Sequence, residues 1–236
     1  MAFILSNIHK RFGDLYVLKD LSMHLEENKL ICILGPSGCG KTTLLNIISG
    51  VFLPDQGQIS GIDNKTISYL FQEPRLLPWK TVVQNIDFVL KDKLDQTSRE
   101  ALISRYIELV GLKGFENYYP RKLSGGMKQR VAIVRAFAYP ADILLMDEPF
   151  KGLDMQLKTA VMQAFLNLWL MEKRSAIFVT HDIDEAVMLG EEIYILTGRP
   201  TSVKGIIHND IPHKQRNLQN EDMLRIEQQI YQLLTV

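Results

Sequence analysis

The chain has 236 residues, 46% of them hydrophobic, enough for one sizeable packed core with an inserted lobe. Lys and Arg total 27 and Asp and Glu total 27, so the formal charge is zero and the pI of about 7.0 leaves no electrostatic footprint for nucleic acid. Two cysteines, Cys32 and Cys39, stand in one short stretch where a disulfide would serve no structural purpose, which fits a reducing cytosol.

The opening MAFILSNIHKRFGD has no basic segment leading into an apolar core and no small-residue cleavage site, so it does not read as a signal peptide. Nor does any run approach the ~18 apolar residues of a spanning helix, so a membrane pathway would have to come from another chain. Phe3 to Leu5 and Leu21 to Leu25 predict a small antiparallel layer. Short apolar runs then follow at Leu30–Leu34, Ile67–Phe71, Ile143–Met146, Ala176–Val179 and Ile193–Leu196, each bounded by Gly, Pro or polar residues as buried strands are. Between them lie helical spacings, Met127, Val131, Val134, Ala138 and Val161, Ala164, Phe165, Leu168. Strands alternating with helices predict an α/β fold with a largely parallel sheet and ligands at the carboxyl ends of its strands. Residues 81–138 carry helical pattern without a convincing strand and read as a helical lobe inserted into an α/β core of residues 1–80 and 139–236. The tail from Leu218 to Leu234, with Met223, Ile226, Ile230 and Leu233 in register, reads as a packed terminal helix.

Gly35-Pro36-Ser37-Gly38-Cys39-Gly40-Lys41-Thr42 matches G-x-x-x-x-G-K-[ST] between the strand LICIL and the helical run TTLLNIIS, the two flanks that a phosphate loop requires. Glycines at 35, 38 and 40 let backbone N–H groups turn toward phosphate oxygens, and the helix end behind them favours negative charge. Lys41 would reach the terminal phosphates of a nucleotide, the Thr42 hydroxyl would hold Mg²⁺, and Thr43 would add a phosphate contact. Cys39 is best read as filler in this loop, since reactivity needs an exposed thiol of lowered pKa.

Ile143 to Met146 runs into Asp147 and Glu148, adjacent acids that a continuing strand would point to opposite faces. Asp147 suits the Mg²⁺ shell, and Glu148 suits the base that orients or deprotonates an attacking water. In Leu123-Ser124-Gly125-Gly126-Met127-Lys128-Gln129-Arg130, Ser124 can cap a helix that opens on two glycines, where backbone approaches an anion closely. One subunit already has its own phosphate loop, so a second anion-seeking helix end makes sense if it serves another subunit's nucleotide.

Here the chain strongly resembles the ATP-binding subunits of the ABC family, whose signature is an LSGG-Q-type stretch; Met127 stands at the fifth position. The resemblance covers nearly the whole chain and implies a P-loop ABC ATPase fold acting as a head-to-tail dimer with ATP and Mg²⁺. It places Phe12 where the family stacks an aromatic on adenine, Gln72 of FQEP at the position that senses magnesium and the attacking water, and His181 of VTHD at the switch histidine that contacts the γ-phosphate. Asp154 of KGLD matches the loop that crosses to the partner. By this resemblance the catalytic set is Glu148, His181, Gln72 and Lys41, and the metal set is Thr42, Gln72 and Asp147. Phe12, Gly35 to Thr43 bind ATP in one copy, and Ser124, Gly125, Gly126 and Asp154 contact it from the other. FQEPRLLPWKTVVQNI, YPRKLSGGMKQRVAIVRAF, LLMDEPFKGLD and GRPTSVKGIIHNDIPHKQRN look like the nitrate, sulfonate and taurine importer branch, which includes uptake systems for pyrimidine precursors of thiamine. The implied partners are membrane permease subunits and, indirectly, an extracytoplasmic solute-binding protein, with no nucleic acid, and the implied place is peripheral on the cytoplasmic face of the membrane. Pro74 to Trp79 is expected to grip a short permease helix, with lobe core as the competing role for Trp79. An exporter motor, a soluble non-transport ABC ATPase and a generic P-loop kinase or GTPase are the rival readings.

Overall fold

A computed structural model describes residues 2–235. The chain opens with β1 (Ala2–Phe12) and β2 (Leu15–Glu26), an antiparallel pair, and β4 (Gln56–Ser60) joins the far side of β1 to complete a three-stranded antiparallel sheet. The expected antiparallel layer is therefore present, with β4 as a member that its polar sequence QGQIS concealed.

The main sheet has six strands in the order β5-β6-β7-β3-β8-β9: β3 (Leu30–Leu34), β5 (Ile67–Leu70), β6 (Ile143–Asp147), β7 (Ser175–Thr180), β8 (Glu192–Leu196) and β9 (Val203–His208). β3 pairs in parallel with both β7 and β8, whereas β9 runs antiparallel to β8. Every residue of β3, β6, β7 and β8 is buried, the state that made them legible as apolar runs. Burying each Val, Leu or Ile there contributes roughly 1.5–3 kcal/mol. β9 escaped the sequence reading because it is an edge strand with only Ile207 buried.

Seven helices complete the described residues: α1 (Lys41–Ile48), α2 (Val82–Asp87), α3 (Gln96–Leu109), α4 (Gly125–Ala138), α5 (Met155–Glu172), α6 (Ile183–Leu189) and α7 (Glu221–Thr235). The expected helical region, residues 81–138, holds α2, α3 and α4 and no strand. The expected terminal helix is α7, which buries Met223 and Ile230. None of these helices is long and apolar enough to cross a membrane.

The chain divides into two compact units. The first comprises residues 1–65, 145–148 and 175–236, and holds the antiparallel sheet, β3, α1 and the β7-to-α7 region. The second comprises residues 66–144 and 149–174, and holds β5, α2 to α4 and α5.

Candidate functional site

The first unit assembles a glycine-rich cradle of backbone N–H groups ahead of α1. β3 ends at Leu34, residues 35–40 form the loop, and α1 starts at Lys41. Gly40 holds φ at +120°, and a Cβ there would lie 2.6 Å from Val17 Cγ1, so both its backbone angle and its closeness to β2 demand glycine. No side chain caps the N-terminus of α1. By contrast α2, α3, α4, α5 and α6 are each capped by their own Thr81, Asp95, Ser124, Asp154 or Asp182 side chain. An uncapped helix end behind a glycine-rich loop offers its N–H groups and its positive dipole to an anion.

Around this cradle the fold gathers the expected polar groups of the same unit. Lys41 is buried, and its Nζ donates to the carbonyls of Gly35 at 2.8 Å and Pro36 at 2.9 Å. The same Nζ stands 3.9 Å from Glu148 Oε1, and His181 Nδ1 stands 3.4 Å from that oxygen. Thr42 Oγ1 donates to Asp147 Oδ1 at 3.1 Å, tying the first turn of α1 to the end of β6. An open cleft of about 350 Å³ is lined by Gly35, Pro36, His181 and, from α7, Leu233 and Leu234.

Asp147 ends β6, but Glu148 does not sit on the strand's opposite face as the alternation argument expected. Its φ is +43°, a left-handed angle that turns the chain out of the strand, and its N–H donates to the Val179 carbonyl at 3.0 Å. That turn, rather than strand pleat, brings its carboxylate to Lys41 and His181.

Cys39 is buried, with its Sγ 3.1 Å from the position a Gly35 Cβ would take, and burial pushes its thiol pKa up. It is packing, as expected. Phe12, at the end of β1, is half exposed and meets Phe52 edge-on with ring centroids 5.6 Å apart. An exposed ring face in the phosphate-loop unit is what stacking on a base requires. Two oxygen donors, Thr42 and Asp147, already side by side fit Mg²⁺, which takes one or two protein oxygens and fills its shell with phosphate and water. Among the described residues no cluster of three or more His, Cys, Asp or Glu could form an all-protein cage.

The second unit carries Gln72, Ser124, Gly125, Gly126 and Asp154. Ser124 caps α4, its Oγ accepting from the Met127 N–H at 3.3 Å, as expected. A Cβ on Gly125 would meet nothing within 4 Å, whereas one on Gly126 would lie 2.5 Å from Leu157 Cγ. The first glycine of the signature is thus open and the second is required by the approach of α5. Asp154 caps α5, with Oδ1 accepting from the Leu157 N–H at 3.0 Å. Gln72 follows β5, and the segment after it is held by Arg135 of α4, which donates to the Pro74 and Arg75 carbonyls at 2.9 Å each. Further along, buried Asn85 donates to the Leu77, Lys80 and Thr81 carbonyls and accepts from the Leu77 N–H. Trp79 on this pinned turn is 69% exposed, which removes the core role for it.

The sequence model for the ABC transporter family matches residues 18–151. The chain belongs to the ABC transporter family. The aliphatic sulfonates import ATP-binding protein SsuB of Bacillus cereus is 40% identical over 232 residues, covering 94% of this chain and 90% of that protein. The nitrate import ATP-binding protein NrtD of a Synechocystis species is 38% identical over 216 residues, covering 88% of this chain and 81% of that protein. Among solved structures, a dimeric post-hydrolysis ATP-binding cassette bound to ADP and phosphate is 30% identical with a TM-score of 0.73, over 87% of this chain and 98% of that one. The family, the cassette fold and the nucleotide loop make this chain an ATP-binding, ATP-hydrolysing ABC cassette whose fuel is ATP with Mg²⁺.

Sequence reasoning missed one group of residues at this site. Arg199 donates through Nε to the Gly38 carbonyl and Thr201 donates through Oγ1 to the Cys39 carbonyl. The segment GRPTS was visible as a family-like stretch, but no spacing rule links it to a loop more than 150 residues earlier.

Proposed function

We propose that this chain is the motor subunit of an importer for a small solute of the sulfonate or nitrate kind, working at the cytoplasmic face of a membrane. The carrying observation is the uncapped end of α1 with Lys41, Thr42, Asp147, Glu148 and His181 gathered around it. The importer assignment is supported by relatives named for sulfonate and nitrate import.

In the proposed cycle, Lys41 exchanges its bonds to the Gly35 and Pro36 carbonyls for the terminal phosphates, a gain because a charged donor meets a charged acceptor. Thr42 and Asp147 would hold Mg²⁺, with Gln72 as the third member that the family resemblance adds, and the metal when bound would offset phosphate charge. Glu148 accepts the proton of the attacking water or orients it, and His181 donates to the γ-phosphate. Phe12 stacks on adenine. Ser124, Gly125, Gly126 and Asp154 of a second, head-to-tail copy close the site, so ATP binding favours the closed pair and loss of the γ-phosphate releases it. This composite arrangement is supported by the open face at Gly125 and by dimeric cassettes of 30% identity. The exposed Trp79 anchors the permease, and the solute-binding protein acts on the far side of that permease.

The test is growth of a host lacking the chain on an aliphatic sulfonate as sole sulfur source or on nitrate as sole nitrogen source. Restoration of either by the wild-type chain, and not by Glu148→Gln or Trp79→Ala, is expected. Unimpaired growth of the deletion host on both would sink the cargo assignment. Rescue by Glu148→Gln would sink the motor role.

A further inference from the structure

We propose that Thr201, assisted by Arg199, is a positioning residue of the nucleotide site, holding outward-facing carbonyls of the phosphate loop so that its amide groups keep the directions nucleotide binding needs. The inference rests on reading residues 35–43 as the nucleotide's cradle.

A trans peptide plane points its N–H opposite to its C=O, so fixing one fixes the other. Arg199 Nε holds the Gly38 carbonyl, which sets the Cys39 N–H, now donated to the Pro36 carbonyl at 3.3 Å. Thr201 Oγ1 holds the Cys39 carbonyl, which sets the Gly40 N–H next to the start of α1. Lys41 occupies the carbonyls of Gly35 and Pro36, but those are the bonds it surrenders on meeting phosphate. The bonds from residues 199 and 201 leave out Lys41 and can persist when nucleotide is bound.

Thr201 is also rigidly mounted. It is fully buried, its N–H donates to the Val17 carbonyl at 2.9 Å, and its carbonyl accepts from the Lys19 N–H at 3.0 Å. It is thereby seated beside Leu18 as a one-residue strand partner of β2. The turn that presents it is closed by Thr197, whose N–H donates to the Ser202 carbonyl at 3.0 Å and whose Oγ1 accepts from the Ser202 N–H at 2.9 Å. The hydroxyl therefore transmits the position of β2 to the phosphate loop, on the same side where Gly40 presses against Val17. Arg199 is exposed, so its bond competes with water and is the weaker restraint.

The experiment measures ADP and ATP affinity by calorimetry, steady-state ATPase, and nucleotide-free melting for Thr201→Val, Thr201→Ser, Arg199→Gln and Lys41→Ala. Loss of one buried hydrogen bond predicts a roughly five- to tenfold weaker affinity for both nucleotides in Thr201→Val. In that variant KM for ATP should rise while kcat stays within about twofold, because Glu148 and His181 are untouched. Thr201→Ser, which keeps the hydroxyl, should restore wild-type affinity, and Arg199→Gln should weaken binding by only about two- to fivefold. Wild-type affinity in Thr201→Val, or failure of Thr201→Ser to restore it, would overturn the inference. So would a Thr201→Val that loses affinity only in proportion to a fall in nucleotide-free melting. If Lys41→Ala binds nucleotide as tightly as wild type, the cradle reading itself fails, and that result is separate from the other two.

Discussion

Glu148 holds a left-handed backbone angle that costs a residue with a Cβ on the order of 1–3 kcal/mol. The angle is held by the bond from its N–H to Val179, and the return is a carboxylate facing Lys41 and His181. Glu148→Gln keeps the shape and removes the carboxylate proposed as the base. ATP hydrolysis should fall by roughly 10²–10⁴ while ATP affinity stays near wild type, as single-turnover and equilibrium-binding assays would report. Hydrolysis within threefold of wild type would remove Glu148 from that role. Lys41 and Glu148 were singled out by the phosphate-loop spacing and the paired acids, and His181 by the family resemblance. The backbone turn at Glu148 was not, since a strand-end sequence does not encode where the pleat stops.

Among the elements, α4 and α5 meet at a glycine. Gly126 leaves room for Leu157, and a methyl group there would stand 2.5 Å from its Cγ, while a methyl on Gly125 would meet nothing within 4 Å. Denaturant titration should find Gly126→Ala destabilised by about 1–3 kcal/mol and Gly125→Ala within about 0.5 kcal/mol of wild type. Equal stability of the two variants would contradict the packing account. The buried strands β3, β6, β7 and β8 were readable from their unbroken apolar runs. β4 and β9 were not, because QGQIS and VKGIIH bury little and take their strand character from neighbours far along the chain. The same dependence on distant neighbours hid Thr201, whose bonds to β2 and the phosphate loop join segments far apart along the chain.

For the whole molecule, the central claim is that ATP joins two copies by contacting the phosphate loop of one and the signature helix end of the other. The first unit has an uncapped helix end with Lys41, Glu148 and His181 beside it, and the second presents the open glycine of a capped helix. Neither feature alone requires a second copy; their presence on one chain with a single phosphate loop is what calls for pairing. The most direct test is light scattering of Glu148→Gln with Mg-ATP, since loss of the proposed base should retain nucleotide and block its hydrolysis. The account predicts a dimer that forms only with Mg-ATP and disappears when Ser124→Arg is added to the same chain. A chain that binds Mg-ATP yet remains a single copy at every concentration, or a dimer indifferent to Ser124→Arg, would contradict it.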